Sequence, residues 1–305
     1  MRSSVVGLSL VLACSPGAEP AAAADAGKSE ASTAASPLDQ VGPGSTVLWV
    51  GAHPDDESVV APVLAEICLH RKAMCHFLVL TRGEGGACGL ATRCPPDLGT
   101  FRSHEMVTAA AAYHAELTQW DWGNAAANTP DDSLATWVAK SGGADKLLQI
   151  MVDELRLVKP TFVVTFDPRH GSTCHPDHRA AAQVLVVAAQ MVHVEYIFFA
   201  ESKAVGPSGT LTDDPSLQST PWIGYAPYVP ADPAVWTFDG SRSLATDLPR
   251  TGWSYLLDTL AAHASQFTDI QRQKFAAAPG ASQGASLLSL AKATAGDTRY
   301  DCPLH

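Results

Sequence analysis

Basic residues are scarce in this chain: lysine and arginine number 20 against 31 aspartates and glutamates, for a formal charge of −11 and a pI near 5.4. A nucleic-acid backbone is gripped by a basic face, and none is visible, so no nucleic-acid partner is expected. Long hydrophobic runs are lacking at the N-terminus: after Met1-Arg2-Ser3-Ser4 the apolar core Val5–Ala13 is too short to span a bilayer. No two cysteines form a close CxxC pair, which argues against a thiolate zinc site. No internal repeat is present. What remains, 305 residues at 46% hydrophobic and 17% charged, suits one soluble α/β domain with a terminal extension.

The short apolar core behind one positive charge reads as a signal peptide. Val11-Leu12-Ala13-Cys14 resembles a bacterial lipobox, so residues 1–14 are expected to export the chain and to leave Cys14 as a lipid-bearing N-terminus, the alternative being ordinary secretion with Cys14 removed or unmodified. Ser15–Gly44, mostly Ala, Ser, Pro and Gly, holds too few large apolar groups to offset the entropy of ordering, and is read as a linker. The expected location is the bacterial cell envelope, with membrane contact only through Cys14. An exported chain oxidises its thiols. Cys68 and Cys75 join a helix end to the next strand, Cys88 and Cys94 bracket a Gly/Pro-rich loop, and Cys174 and Cys302 would tie the tail to a polar loop. Those pairs are one choice among many connectivities.

From Ser45 to His305 the pattern alternates. Strands are predicted at 46–50, 75–81, 116–121, 161–166 and 195–199, with a weaker one at 234–238; helices at 57–71, 101–114, 146–159, 177–193 and 252–278. This indicates one α/β domain with a mostly parallel sheet and helices on both faces. Connections at 82–100, 124–145 and 202–232 are long enough to shape a binding site.

Two polar clusters interrupt the pattern at equivalent places. Gly51-Ala52-His53-Pro54-Asp55-Asp56-Glu57 follows the apolar run Val47–Val50, and His175-Pro176-Asp177-His178 follows Thr161–Phe166. Ligands of open α/β sheets bind at the carboxyl edge where both clusters fall. His53 and Asp56, three apart, can converge on one cation while Asp55 points elsewhere. The plain alternative is that Asp55, Asp56 or Asp177 merely caps the helix it precedes.

The AHPDDE run, the HPDH unit, Thr81-Arg82-Gly83-Glu84-Gly85-Gly86, Phe101-Arg102-Ser103-His104-Glu105 and His263-Ala264-Ser265-Gln266 together resemble the PIG-L (LmbE-like) family of zinc-dependent N-acetylglucosaminyl de-N-acetylases, in order, over about residues 45–274. The resemblance implies a Rossmann-like three-layer fold and hydrolysis of an acetamide on a GlcNAc-type sugar. Amide hydrolysis needs a Lewis acid, a base for water and an acid for the leaving amine. His53, Asp56 and His178 are expected to hold the metal, Zn2+ or another divalent ion such as Fe2+, with open positions left. Asp55 is the expected base. His175, as imidazolium, would stabilise an oxyanion or protonate the amine, with Asp177 orienting it and raising its pKa. These roles match the family's at the aligned positions. Arg102 is the expected substrate contact, its competing place being an ion pair with Glu105 on a solvated helix face. Trp222, Tyr225 and Tyr228 offer faces for a sugar or pins for a loop.

One departure stands out. Many members carry an aromatic residue two positions before the first His of HPDH, where this chain has Thr173-Cys174. Packing is the default reading for His70, His76, His104, His114, His170 and His193, and His263 is read as a structural hydrogen-bonder or a catalytic group. Two other functions remain open: a non-catalytic carbohydrate-binding lipoprotein on the same fold, and a non-haem Fe(II) enzyme.

Overall fold

The run Val47-Leu48-Trp49-Val50 forms the middle of β1 (Thr46–Gly51), which pairs in parallel with β2 (Met74–Val79) on one side and β4 (Phe162–Phe166) on the other. The structure is a computed structural model that describes residues 40–90, 94–124, 127, 129–168, 171, 175–202, 235–239, 250–277 and 285–290. The signal-peptide and lipobox reading, Thr173, Cys174, His170, Cys302 and the aromatics at 222, 225 and 228 lie outside these residues. Val41, within the stretch read as linker, is buried in the core.

β3 (Glu116–Gln119) and β5 (Tyr196–Ser202) complete five parallel strands, and β7 (Ala285–Leu290) and β6 (Val235–Asp239) add an antiparallel edge, in the order β3-β2-β1-β4-β5-β7-β6. The mostly parallel sheet is as expected. β7 is new: Ser286-Leu287-Leu288-Ser289 lacks the two-residue alternation that marks a half-buried strand. The chain leaves β1 toward β2 and β3, then returns to the other side of β1 to form β4. The strand order reverses between β1 and β4, which is where open α/β sheets bind ligands.

Hydrophobic clusters fill both faces of the sheet. Trp49, Phe77, Phe162, Phe166 and Phe198 pack on one side; Leu48, Leu78, Leu80, Val163 and Leu185 pack on the other. The alternation of Leu48 and Trp49 between clusters follows from the strand period.

Helical stretches cover those faces. α1 is irregular where one continuous helix was predicted: a 3₁₀ turn (Asp56–Val60), an α turn (Ala61–Ala65) and a π turn (Glu66–His70). Pro62 lacks an N–H and Val60 leaves helical geometry (φ −120°, ψ 13°), so the ladder is reset there. α2 (Leu98–Ala112), α4 (Ala144–Val158) and α5 (Pro176–Met191) stand close to their predicted places.

α3 (Pro130–Ser141) occupies a stretch predicted to be a connection. Its signals are present in the sequence: Thr129 and Asp132 form a reciprocal capping box, Pro130 opens the helix, and Gly142 closes it at φ 89°. The single helix predicted from 252 to 278 is two, α6 (Gly252–Ala262) and α7 (Asp269–Ala277). Thr268 and Gln271 exchange hydrogen bonds and restart the helix.

Cys68–Cys75 and Cys88–Cys94 are disulfides, as the sequence suggests.

Candidate active site

The turn after β1 is built around Asp56. Its Oδ2 accepts from the backbone N–H of Ala52 (2.6 Å) and of His53 (2.8 Å), which folds the turn back on itself. A Cβ on Gly51 would stand 2.9 Å from that of Asp56, so the tight return needs glycine. With Oδ2 occupied, Asp56 Oδ1 faces His178 Nε2 at 2.9 Å and His53 Nδ1 at 3.5 Å. The two ring nitrogens are 3.3 Å apart.

Each imidazole is oriented from its far side. His178 Nδ1–H donates to the Gly171 carbonyl (2.9 Å), and His53 Nε2–H donates to Asp177 Oδ2 (2.9 Å). Phe166, the last residue of β4, stacks on His178 at 4.3 Å. With the outer nitrogens engaged, His178 Nε2 and, once deprotonated, His53 Nδ1 present lone pairs that converge with a carboxylate oxygen. Metal–ligand bonds of about 2.0–2.2 Å in tetrahedral array set donor atoms roughly 3.4 Å apart. This donor set fits a divalent cation.

His175 joins the same cluster, for nitrogens of His53, His175 and His178 all lie within 4.8 Å of one another. The trio containing Asp56 is tighter and has its outer nitrogens anchored, so it is the better ligand set. His175 caps α5, its Nδ1 accepting from the Asp177 backbone N–H at 3.2 Å. The ring proton therefore sits on Nε2.

The charges follow from burial and neighbours. Burial disfavours a charged His53, but Asp56 and Asp177 outweigh it and push its pKa up to about 10. Burial likewise opposes ionisation of Asp56, yet His178 and His53 hold it well below the usual carboxylate range. Burial, together with the charges of His178 and His53, pushes His175 down to about 3. Asp177 is pulled down to about 2 against its burial by His53 and Ser133.

Two expectations change here. The Asp177 carboxylate orients His53 rather than His175, because the cap bond to His175 uses the Asp177 backbone while the side chain reaches toward α3. Neither does His175 carry the raised pKa expected of an imidazolium.

Asp55 stands beside the ligand set in a left-handed conformation (φ 107°) and makes no capping hydrogen bond, so it is not a helix cap. Its Oδ1 is 3.1 Å from Arg102 Nη2. Burial, opposed by Arg102 and reinforced by Asp56, pushes its carboxyl up to about 6.

Arg102 takes a different place from the one expected. It is 3% exposed, and its terminal nitrogens donate to the Gly83 carbonyl (2.6 Å) and the Pro54 carbonyl. Its terminal nitrogens are held by the protein while Nε has no hydrogen-bond partner, so the guanidinium is part of the frame that holds Asp55. Gly83, at φ 66°, is required by it: a Cβ there would stand 2.3 Å from the guanidinium. Glu105 binds Ser265 through its N–H (2.8 Å) and hydroxyl (2.5 Å), not Arg102.

The late His-x-Ser-Gln motif is structural. His263 pairs with Glu57 at 2.5 Å with both side chains fully buried, and Gln266 donates to the Ala87 carbonyl. Sequence reasoning missed Asn124 and Ser133, both of which donate to the Asp177 carboxylate. No spacing rule marks them, and only the capping signals of α3 would have pointed toward Ser133.

Comparison with known proteins bears on this arrangement. Residues 48–189 match the PIG-L family, described as GlcNAc-PI de-N-acetylase. The chain is similar to 1D-myo-inositol 2-acetamido-2-deoxy-alpha-D-glucopyranoside deacetylase of Thermomonospora curvata, 32% identical over 160 residues, 48% of this chain and 52% of that protein. It is similar to the enzyme of the same name from Mycolicibacterium smegmatis, 29% identical over 144 residues, 43% and 49% of the two chains. This chain thus spans about half the length of these curated relatives. The crystal structure of A40926 pseudoaglycone deacetylase Dbv21 shares the fold, with a TM-score of 0.52 at 13% identity over 82% of this chain and 98% of that one. The matched residues 48–189 include both AHPDDE and HPDH, and over them the chain is similar to the PIG-L family.

Proposed function

We propose that this protein is a zinc-dependent hydrolase that removes the acetyl group from an N-acetylglucosamine-type amino sugar, releasing acetate and a free amine. The observation that carries the reading is the convergence of His53 Nδ1, His178 Nε2 and Asp56 Oδ1 within 2.9–3.5 Å of one another beside the Asp55 carboxylate. Relatives named as deacetylases of an acetamido-glucopyranoside support the substrate class.

His53, Asp56 and His178 would hold the cation. When bound, it supplies a Lewis acid that polarises the amide carbonyl and makes water more acidic. Asp55, with a carboxyl near pKa 6 and a side chain 14% exposed, takes the proton of the attacking water. The water oxygen bonds to the carbonyl carbon, the C–N bond breaks, and the proton held by Asp55 passes to the departing nitrogen. His175, kept neutral with its proton on Nε2, donates a hydrogen bond to the developing oxyanion. Asp177 orients His53 without touching the reacting atoms.

A panel of N-acetyl sugars with amine detection, run on zinc-loaded and chelated protein, tests this. Amine release from a GlcNAc-type sugar that stops on chelation is expected; no release from any member would overturn it.

Export to an oxidising compartment belongs to the same proposal and is supported by two disulfides. Cys14→Ser is expected to move the protein from the membrane fraction to the soluble one. Unmodified Cys14 in membrane-isolated protein would overturn the anchor.

A further inference from the structure

The carboxylate behind His53 is itself gripped from two sides. Asp177 Oδ1 accepts from Ser133 Oγ, and Oδ2 accepts from Asn124 Nδ2 at 2.8 Å as well as from His53. Ser133 and Asp177 are fully buried. A lone carboxylate turns readily about its last torsion. With Oδ1 tied to Ser133, Oδ2 is left facing His53 Nε2.

One helix supplies the first grip and braces the second. Ser133 lies on α3, and Trp137, one turn further along the same face, is buried and donates through Nε1 to the Gly123 carbonyl at 2.9 Å. That bond fixes the backbone immediately before Asn124. Asn124 is also held through its own N–H, which donates to Glu84 Oε1 at 3.1 Å. Since α3 packs on α5, the helix that carries Asp177 and His178, the arrangement closes on itself.

We propose that Ser133 and Asn124 are positioning residues of the metal centre: they set Asp177 to take the outer N–H of His53, which keeps His53 Nδ1 as the inward ligand atom. This rests on the metal-site reading above. Neither residue touches the reacting atoms. Without Ser133 the carboxylate loses its fixed rotation, and His53 loses the partner that selects its nitrogen.

The test is Zn2+ affinity of the full chain, measured by competition with a chromophoric chelator, for wild type, Ser133→Ala and Asn124→Ala. Loss of an outer partner of a metal-ligating histidine weakens binding about 10–100-fold. Each variant is expected to weaken Zn2+ binding by up to that factor while its metal-free form still unfolds in one cooperative transition. In the zinc-loaded protein, 15N NMR should show the His53 Nε2–H exchanging faster with solvent in both variants. Asn124, half-buried in a connection, keeps the test available if Ser133→Ala does not fold. Wild-type affinity and unchanged Nε2–H exchange in the folded variants would overturn the inference and leave the metal site standing. A wild type that binds no stoichiometric Zn2+ would overturn both.

Discussion

Arg102 Nη2 lies 3.1 Å from Asp55 Oδ1 and belongs to a guanidinium that also holds the carbonyls of Gly83 and Pro54. One buried cation therefore ties the residue beside the ligand set to the turn that carries it and to the loop after β2. Asp55 at φ 107° is a backbone conformation that costs of order 1–3 kcal/mol, and it persists because its surroundings hold it. Asp55 is thus aimed at the site by strain and an ion pair together.

Arg102→Met should expose that dependence in a pH profile. Arg102 pulls the Asp55 pKa down against burial, so its loss lets the carboxyl climb above about 6. The base must be ionised, and the acidic limb of kcat/KM should move to higher pH. Each unit of rise removes about tenfold of the ionised base on the acidic side of the limb. Arg102→Lys should fall between, since an ammonium keeps the charge but not the planar fork. An unmoved limb in Arg102→Met would mean that Arg102 does not set Asp55.

The adjacent aspartates should separate cleanly. Asp56 spends one oxygen on the Ala52 and His53 N–H groups and offers the other to both imidazoles, so Asp56→Ala should lose bound zinc. Asp55→Asn should retain near-stoichiometric zinc and lose on the order of 10²–10⁴-fold in kcat. Elemental analysis beside steady-state kinetics decides it. Zinc loss from Asp55→Asn, or full activity in it, would exchange the two roles.

Metal uptake should release a proton. His53, at about 10, is protonated at pH 7, whereas a ligand nitrogen must be bare. Affinity should therefore rise with pH through the neutral range, with about one proton displaced per ion. His175, at about 3, is already neutral and adds none. Titration calorimetry in buffers of different ionisation heat counts the protons. A count of zero would remove His53 Nδ1 from the ligand set.

What was legible in the sequence has a physical pattern. β1 and β4 are buried on both faces and read as unbroken apolar runs, so the strands and the polar turns that follow them could be placed, and with them His53, Asp55, Asp56, His175, Asp177 and His178. Their proximity could be inferred because strand order and turn position put both clusters at one edge. Partners across the fold could not. The sequence marks Arg102 as a substrate contact but does not show that the Gly83 carbonyl and Asp55 close over it. The hydroxyl of Ser133 reaches Asp177 from 44 residues away through a helix whose capping signals lay inside what looked like a connection. His263 illustrates the same limit, its partner being 206 residues earlier.

The Glu57–His263 pair should govern stability rather than chemistry. Both side chains are fully buried, and Glu57 sits directly after the metal-ligand candidate Asp56 while His263 ends α6. Burial disfavours a charged His263, but Glu57 outweighs it and raises its pKa above the ordinary value. A histidine whose folded pKa is raised stabilises fully below its unfolded pKa of about 6.5, and loses that contribution as pH climbs through the higher folded value. The wild-type melting temperature should therefore decline on the alkaline side of neutrality. Glu57→Gln leaves the imidazole buried without its counter-charge, a change that typically costs about 3–5 kcal/mol. Its melting temperature should be well below wild type at pH 6, with the gap narrowing as pH rises, because the wild type loses the pair's contribution there. Calorimetric melting of both proteins from pH 5 to 9 makes the comparison. A variant that melts with the wild type at pH 6 would show that the pair contributes nothing to the fold.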